Sequence, residues 1–463
     1  MPLQVLSSLV FGSGHGLVRG ALATAFLLLI SLPCIVAEAK HTEHWVGIWT
    51  SMPQLVEPAN LPNAPYNGSA AVFENATLRQ TVFVTQDASV IRLSFSNAFG
   101  GTDLAITAVT AALPAAAAKN ESGAGASGVR PETVQTVTFS GGRPGVTVPN
   151  GALVVSDPLN FTVRAQSVLS VTLYLAGGQP GHALTGHPGS RTSSWAAPGN
   201  LVAAPDLANA TASAAAAAAA RIDHWYFLSA IDGWLPASRT ALAIVGDSIS
   251  DGRGSTTNAN NRWPDRLLAR LQQRRDTANI SVLNQAAGGN RVLADGLGPN
   301  ALGRIGRDVI AQAGVRYALV LEGVNDLGTA VADAAAQGRT GDALVAAYAQ
   351  ITAQLHGHGI AVFGATITPF TGPGQAYGDD GGSGAREAQR QRVNAWIRTS
   401  GRFDYVVDFD AAVRDPANAT QLSPLYNSGD YLHLNPDGYR AMAAAVDLAV
   451  FAKFAGGIYR RPT

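Results

Sequence analysis

The stretch Ala241-Leu242-Ala243-Ile244-Val245-Gly246-Asp247-Ser248-Ile249-Ser250 decides the fold of the second half of the chain. Its first five residues are all apolar, which is typical of a strand that is buried on both faces of a parallel sheet. Gly246 and Asp247 interrupt the apolar run, and Ser248 follows at once. The sequence therefore predicts a buried strand that turns tightly into a helix and carries a serine on the turn.

Apolar runs of the same kind recur downstream, and helix-like segments such as residues 264–274 and 341–356 separate them. The further runs are residues 280–283, 317–321, 360–365 and 405–407. Strands that alternate with helices predict an α/β domain in which helices cover both faces of a parallel sheet. In such sheets the functional residues gather at the carboxyl ends of the strands.

The preceding part of the chain has a different pattern. Ile91, Leu93 and Phe95 alternate with polar residues, and residues 169–175 alternate in the same way. This period of two predicts half-buried strands, and the Gly and Pro clusters between them predict an antiparallel β-sandwich. We therefore predict a signal peptide at 1–39, a β-rich N-terminal domain at 40–210, an Ala-rich junction at 211–237 and the α/β domain at 238–463.

The N-terminus predicts secretion. Arg19 precedes an apolar run over residues 21–36, and Ala37-Glu38-Ala39 fits a small-residue cleavage site. The alternative is a membrane anchor, but the run is short for a span and contains Pro33. The only cysteine, Cys34, lies inside this leader, so a mature chain would contain no disulfide.

Asn-x-Ser/Thr sites agree with an extracellular glycoprotein. The seven sites begin at Asn67, Asn75, Asn120, Asn160, Asn209, Asn279 and Asn418. The 32 basic and 32 acidic residues give no net charge, so we expect neither nucleic acid nor an anionic membrane surface as a partner. We expect a monomer without stable membrane insertion.

Ser248 has chemically suitable partners far downstream. Asp430-Tyr431-Leu432-His433 places a carboxylate three residues before an imidazole, so the two side chains can meet on one turn. A serine on a turn, a histidine and an acid are the components of a Ser-His-Asp hydrolase, in which histidine activates the hydroxyl. An isolated Asp-x-x-His is more often a surface turn, so the pair needs support from other parts of the chain.

Two further blocks lie between them in the order expected for one family. The four blocks are Gly246-Asp247-Ser248-Ile249, Asn284-Gln285-Ala286-Ala287-Gly288-Gly289-Asn290, Gly323-Val324-Asn325-Asp326 and Asp430-Tyr431-Leu432-His433. Together they resemble the SGNH/GDSL hydrolase superfamily over residues 238–455, with Ile249 where the family has leucine. Trp45-Val46-Gly47-Ile48-Trp49-Thr50 also resembles a segment that precedes the catalytic domain in some secreted microbial members.

The resemblance implies a three-layer α/β/α sandwich and a role for each block. It implies Ser248 as nucleophile, His433 as general base and Asp430 as the residue that orients His433. The oxyanion hole would consist of the backbone N–H groups of Ser248 and Gly289 and the side-chain amide of Asn325, with Gly288 as an alternative to Gly289.

These expectations define a function. We expect a secreted serine carboxylic ester hydrolase that forms an acyl-enzyme and acts on short-chain or acetyl esters of plant polymers, or on small esters. We expect no cofactor and no metal, because Asp379-Asp380-Gly381-Gly382 lacks the ligand spacing of a calcium loop. The alternatives are a non-catalytic carbohydrate-binding or adhesion protein on a hydrolase scaffold, and a serine peptidase.

Overall fold

The computed structural model describes residues 42–115, 123–209, 219–378 and 381–458. The predicted leader with Cys34 lies outside these residues, as do most of the alanine run, the Asn120 site and Asp379-Asp380. Described residues from Thr42 onward belong to one compact unit.

The first part of this unit is built from short antiparallel strands. In chain order, β1 to β17 are Glu43–Thr50, Gln54–Leu55, Ala71–Val72, Ala76–Val84, Ile91–Ser96, Leu104–Ile106, Ala108–Ala112, Gln135–Val137, Val146–Val148, Leu153–Val155, Ser167–Leu175, Gln179–Pro180, Thr185–His187, Ser194–Pro198, Ala220–Ile222, Trp225–Tyr226 and Leu228–Pro236. Two sheets dominate, with the orders β1-β17-β5-β10 and β15-β14-β4-β11-β7-β8. Apolar side chains from both sheets, such as Leu93 and Leu169, form one core.

The predicted half-burial of these strands is wrong for β11. Leu169, Val171 and Leu173 face the core as expected, but Ser170 and Thr172 on the opposite face are also buried. Loops cover that face because the buried Arg79 side chain on β4 holds them there. Its guanidinium donates to the Thr172 hydroxyl at 2.9 Å and to the carbonyl oxygens of Ser127 and Ala204 at 2.6 and 2.8 Å.

The second part contains a five-stranded parallel sheet. Its strands β18 to β22 are Thr240–Gly246, Ile280–Ala286, Val315–Leu321, Ala361–Ala365 and Tyr405–Val407. The order is β19-β18-β20-β21-β22, and each pair of neighbours is parallel. Residues 241–245 of β18, an interior strand, are fully buried, as their continuous apolar character predicts.

Helices flank this sheet, which confirms the predicted α/β sandwich preceded by an antiparallel β region. In chain order, α1 to α9 are Ser248–Asp251, Trp263–Gln272, Ala301–Ile305, Val324–Thr329, Ala334–Gly357, Ala385–Thr399, Phe409–Val413, Pro436–Ala445 and Val450–Lys453. Helices α2 and α7 pack on α8, whereas α4, α5 and α6 pack on one another. No helix in the described ranges is long and apolar enough to span a membrane.

Residues 220–236, which the sequence analysis assigned to a junction, form β15, β16 and β17. These strands pair with β14, with β13, and with β1 and β5 respectively, so they are parts of the antiparallel sheets. The predicted domain boundaries themselves stay predictions.

A close contact at Gly47 joins the two parts of the unit. The Gly47 N–H donates to the Ala313 carbonyl at 2.9 Å, and the Gly47 carbonyl accepts from the Ser281 hydroxyl at 2.6 Å. A Cβ atom at this position would lie 2.8 Å from Cδ1 of Leu283. Glycine is therefore required because the backbone of β1 lies directly against β19.

We predict that Gly47→Val destabilises the protein, because the new side chain must displace Leu283 or separate β1 from β19. Overpacking of this kind typically costs about 1–3 kcal/mol. The free energy of unfolding in urea would measure the cost. Gly177→Val is the matched control, because Gly177 has open space around it and an ordinary φ. Equal stability of the two variants would contradict the prediction.

Candidate active site

The turn after β18 positions Ser248 at the carboxyl end of this strand. Asp247 is the N-cap of α1, and its carboxylate accepts the Ile249 N–H at 2.8 Å. A Cβ atom at Gly246 would collide with the Ser250 side chain, so the turn can be this tight only with glycine there. Asp247 therefore has a structural role in this turn.

The structure brings Ser248, His433 and Asp430 together. The Ser248 hydroxyl lies 2.8 Å from Nε2 of His433, and Nδ1 of His433 lies 2.6 Å from Oδ2 of Asp430. Since a carboxylate only accepts, Nδ1 carries a proton and Nε2 of the neutral ring is free to accept the serine proton. Ser248 and His433 are both nearly buried.

Asp430 is held as a carboxylate by its surroundings. Its Oδ1 accepts the backbone N–H groups of Leu432 and His433 at 3.0 and 2.8 Å. Partial burial alone would raise the pKa of this carboxyl, but hydrogen bonds from the His433 ring and the two N–H groups outweigh burial. They hold the pKa of Asp430 well below its usual range.

The predicted oxyanion donors line one cavity with Ser248 and His433. Gly288, Gly289 and Asn325 all contribute to this cavity of about 390 Å³. Gly289 has a φ of +69°, a conformation that favours glycine. Among the described residues, no acceptor is recorded for the backbone N–H groups of Ser248 and Gly289, so both are available to a ligand.

The orientation of the Asn325 amide follows from its two partners. Its Nδ2 donates to the carbonyl of Asn290 at 2.8 Å, which fixes the nitrogen because a carbonyl cannot donate. Its Oδ1 accepts from the hydroxyl of Tyr377 at 3.0 Å. The second N–H of the amide remains for the cavity, where an oxyanion donor is expected.

Tyr377 belongs to a loop that contacts both halves of the site, and no local sequence pattern predicts this contact. Nε2 of Gln375 donates to the carbonyl of Asp430 at 2.7 Å, and Oε1 of Gln375 accepts the Tyr377 N–H at 2.9 Å. Residues 375–377 therefore connect the turn that carries Asp430 with the amide of Asn325. Gly328 gives the Tyr377 ring its space, since a Cβ atom there would overlap the ring.

A cluster of buried ionisable groups includes Asp247, which precedes Ser248, and extends away from it. Asp247, Glu322 and Asp326 are all at most 5% exposed, and Arg304 is 2% exposed. Arg304 donates to Glu322 Oε1 at 3.2 Å and to the Asn290 side chain at 2.9 Å. Asp326 accepts the N–H groups of Val292 and Leu293. These bonds fix the loop after β19, which carries Gly289.

Burial controls the protonation of this cluster. It raises the pKa of Asp247 to about 7, and the charges of Asp326 and Asp251 add to the rise. Burial, together with the charge of Asp247, also raises the pKa of Glu322 well above its ordinary value. No group of His, Cys, Asp and Glu in the described ranges could hold a metal ion.

The cavity has a second wall from the β-rich part. The residues that this part contributes to the cavity beside Ser248 are Gln54, Glu57, Asn60, Arg191 and His224. The sequence analysis identified none of these residues, because nothing local in the sequence indicates which loops of the antiparallel sheets reach Ser248.

We predict a pH-dependent effect of Asp247→Asn on stability. The folded pKa of Asp247, about 7, lies above the ordinary value of about 3.9, so the folded state binds more protons between these values. Wild-type stability should therefore fall with rising pH in this window, by up to about 1.4 kcal/mol per pH unit from this group. Asparagine keeps the N-cap acceptor but cannot titrate.

Urea unfolding between pH 4.5 and 7.5 would measure the effect. The stability difference, Asp247→Asn minus wild type, should increase with pH. Asp342→Asn changes an exposed carboxylate and should follow the wild-type curve. Parallel curves for wild type and Asp247→Asn would contradict the prediction.

Comparison with known proteins finds a family profile over the part of the chain that contains these residues. The profile of the GDSL-like lipase/acylhydrolase family matches residues 244–441, which include Ser248, Gly289, Asn325, Asp430 and His433. A search of curated proteins found no match.

Solved structures of the same kind resemble part of the chain. An acetyl xylan esterase from Geobacillus stearothermophilus is 21% identical, with 49% of this chain and 100% of that chain covered and a TM-score of 0.34. A GDSL-like lipase from Bacteroides thetaiotaomicron is 16% identical, with 46% and 89% covered and a TM-score of 0.32. At these values the substrates named for those proteins do not transfer to this chain. The profile match shows that residues 244–441 are similar to the GDSL-like lipase/acylhydrolase family.

Proposed function

We propose that the protein is a secreted serine carboxylic ester hydrolase that works through an acyl-enzyme. The observation that carries this proposal is the continuous hydrogen-bonded line from the Ser248 hydroxyl through the His433 ring to Asp430. A line of this kind activates a serine hydroxyl, because the ring accepts its proton while the carboxylate stabilises the imidazolium that forms.

The reaction would proceed in two halves. Nε2 of His433 takes the proton of Ser248 as Oγ attacks the ester carbonyl, and the negative charge develops on the carbonyl oxygen. The N–H groups of Ser248 and Gly289 and the amide of Asn325 stabilise that charge. The bond to the alcohol then breaks, and His433 protonates the leaving oxygen. Water attacks the acyl-enzyme by the same route and releases the acid and free Ser248.

The polar lining of the cavity favours short acyl groups. Within the described chain, the large aliphatic side chains that line it are Leu297 and Leu432, and most other lining residues are polar. Burial of a long acyl chain would require more apolar surface, since each CH₂ contributes about 0.8 kcal/mol only when it leaves water for apolar surroundings. We therefore propose acetyl or other short-chain esters, carried by plant polymers or small alcohols, as substrates.

Surface exposure supports the extracellular part of the proposal. Five of the Asn-x-Ser/Thr sites have an exposed asparagine, as attachment of a glycan requires. These are Asn67, Asn75, Asn160, Asn209 and Asn418. Asn279 is only partly exposed, and its amide donates to the Ser238 carbonyl at 2.8 Å. We propose that the first five are the glycosylation sites of a secreted monomer.

We predict that Ser248→Ala abolishes ester hydrolysis, because the variant lacks the hydroxyl that would form the acyl-enzyme. Turnover of p-nitrophenyl acetate should fall by about 10⁴-fold or more. Wild type should hydrolyse the acetate and butyrate esters faster than the octanoate. Ser89→Ala, at an exposed serine, is the matched control and should behave as wild type.

An inactive wild type, or full activity in Ser248→Ala, would refute the proposal. Cleavage of casein without cleavage of esters would favour a peptidase instead. Binding of a polysaccharide by a protein inert toward all esters would favour the non-catalytic alternative.

We predict that Tyr377 acts by positioning Asn325. Asn325→Ala should lower kcat about 10²–10³-fold, the usual effect of removing one oxyanion donor. Tyr377→Phe leaves Oδ1 of Asn325 without its donor, so only the bond from Nδ2 to the Asn290 carbonyl holds the amide, and its second N–H is positioned less well. We expect kcat to fall about tenfold while KM changes little.

A double-mutant cycle separates positioning from a general structural effect. In the Asn325→Ala background, Tyr377→Phe should have little further effect on kcat, since the amide that it positions is gone. Tyr174→Phe is the control, because its hydroxyl makes a similar bond to Asn75 at the surface. Fully additive losses would show that Tyr377 does not act through Asn325.

A further inference from the structure

The wall that the β-rich part gives to the catalytic cavity contains a preorganised carboxylate. Oε1 of Glu57 accepts from Nε2 of Gln54 at 2.7 Å, and Oε2 accepts from Nδ2 of Asn60 at 2.9 Å. Gln54 is 2% exposed, and the Asn60 carbonyl is tied to the Tyr226 hydroxyl at 2.7 Å. Each carboxylate oxygen retains acceptor capacity, so Glu57 presents two adjacent acceptors in a fixed orientation.

His224 provides another acceptor on the same wall. Its Nδ1 lies 2.6 Å from the carbonyl of Pro188, which can only accept, so Nδ1 carries the proton. Burial lowers the pKa of His224 more than the nearby Glu57 charge raises it, which favours the neutral ring. Nε2 of this neutral ring then has a free lone pair.

Donors complete the wall. Arg191 is 29% exposed, and its Nη2 contacts Asp251 at 3.4 Å. Its Nε is buried and has no hydrogen-bond partner among the described residues. The exposed Arg253 lines the cavity on the other side. The two arginines balance the charges of Glu57 and Asp251, so the formal charge of these four lining residues is zero.

This combination of groups selects one class of ligand. Hydroxyl groups donate and accept at once, so they can satisfy a carboxylate, a neutral imidazole and a guanidinium that lie side by side. Two adjacent hydroxyls match the two oxygens of a fixed carboxylate. A long alkyl alcohol would leave these polar groups desolvated and unpaired, which costs about 1–3 kcal/mol for each group.

We infer that the β-rich part supplies a sugar-binding subsite to the catalytic cavity. Glu57 accepts from two neighbouring hydroxyls, while His224 and Arg191 bind further hydroxyl or ring oxygens. The substrate is then an acyl ester of a sugar residue, and the N-terminal part determines this specificity. The inference rests on the proposed ester hydrolase activity and adds the identity of the alcohol.

Glu57→Gln and Glu57→Ala test the inference. Each variant would be assayed with O-acetylated xylo- and gluco-oligosaccharides and with p-nitrophenyl acetate, which has no sugar hydroxyls. The ratio of kcat/KM for the sugar ester to kcat/KM for the aryl ester should fall at least tenfold in both variants. Glu132→Gln is the matched control, because Glu132 is exposed and, like Glu57, lies next to a proline that begins a short 3₁₀ turn. It should keep the wild-type ratio.

A second measurement does not depend on the stability of the variants. Deacetylated oligosaccharides should inhibit wild-type hydrolysis of p-nitrophenyl acetate competitively, and in Glu57→Gln the inhibition constant should rise at least tenfold. Absence of inhibition in wild type, or an unchanged ratio in both Glu57 variants, would overturn the subsite. Equal losses on both ester classes would also overturn it.

Failure of the subsite and failure of the proposed function give different results. A wild type that hydrolyses the aryl ester through Ser248 but no acetylated sugar overturns this inference alone. A wild type that hydrolyses no ester overturns the proposed function, and the inference with it.

Discussion

The hydrogen bond between the Ser248 hydroxyl and His433 Nε2 joins two residues that are 185 positions apart, and much of the second half of the chain serves to hold them together. A bond of 2.8 Å tolerates little relative movement of its two partners. Ser248 is fixed by the end of the buried strand β18, and His433 is fixed by the turn before α8. The parallel sheet and the capped helix are therefore the two supports of the candidate site.

Buried polar networks make these supports rigid. Arg304 holds the loop that carries Gly289, and Arg390 donates to Asp410 and to the Ile367 carbonyl at 2.7 and 3.0 Å. Such networks add little net stability compared with apolar packing, but a broken network leaves a buried charge unpaired. Each network therefore favours one arrangement of its loops over others, and one arrangement is what an oxyanion hole requires.

The parts of the site that were predictable are those with a local signal. Residues 241–245 predict a buried strand by composition, and Asn435-Pro436 predicts the start of α8, where the Asn435 side chain accepts from the N–H groups of Asp437 and Gly438. Ser248 and Asn325 follow buried strands and His433 precedes α8, all in the family order, so their proximity could be anticipated.

Tyr377, Arg304 and Glu57 could not be predicted, because their roles depend on contacts between distant segments. The Tyr377 hydroxyl meets an amide 52 positions away, and nothing in its neighbourhood in the sequence indicates that contact. The half-buried pattern of β11 misled for a related reason. Loops that Arg79 holds cover its polar face. The alternation of apolar and polar residues shows that the two faces differ, but it does not show which segments cover each face.

The β-rich part cannot be a passive neighbour of the catalytic turn, because a buried ion cluster joins the two. Nε2 of His187 lies 2.9 Å from Asp251 at the end of α1, and its Nδ1 lies 3.0 Å from the Met52 carbonyl. Nη2 of Arg191 also contacts Asp251, whose side chain is 1% exposed, so the guanidinium compensates this carboxylate.

Loss of one member of such a cluster leaves a buried charge unpaired, typically at a cost of 3–5 kcal/mol. The packing is also tight, since a Cβ atom at Gly189 would overlap the Asp251 carboxylate. The helix that begins with Ser248 thus ends on a carboxylate that the β-rich part neutralises. The wall containing Glu57 and His224 is consequently held in register with Ser248, and the proposed subsite on that wall can align an ester with this residue.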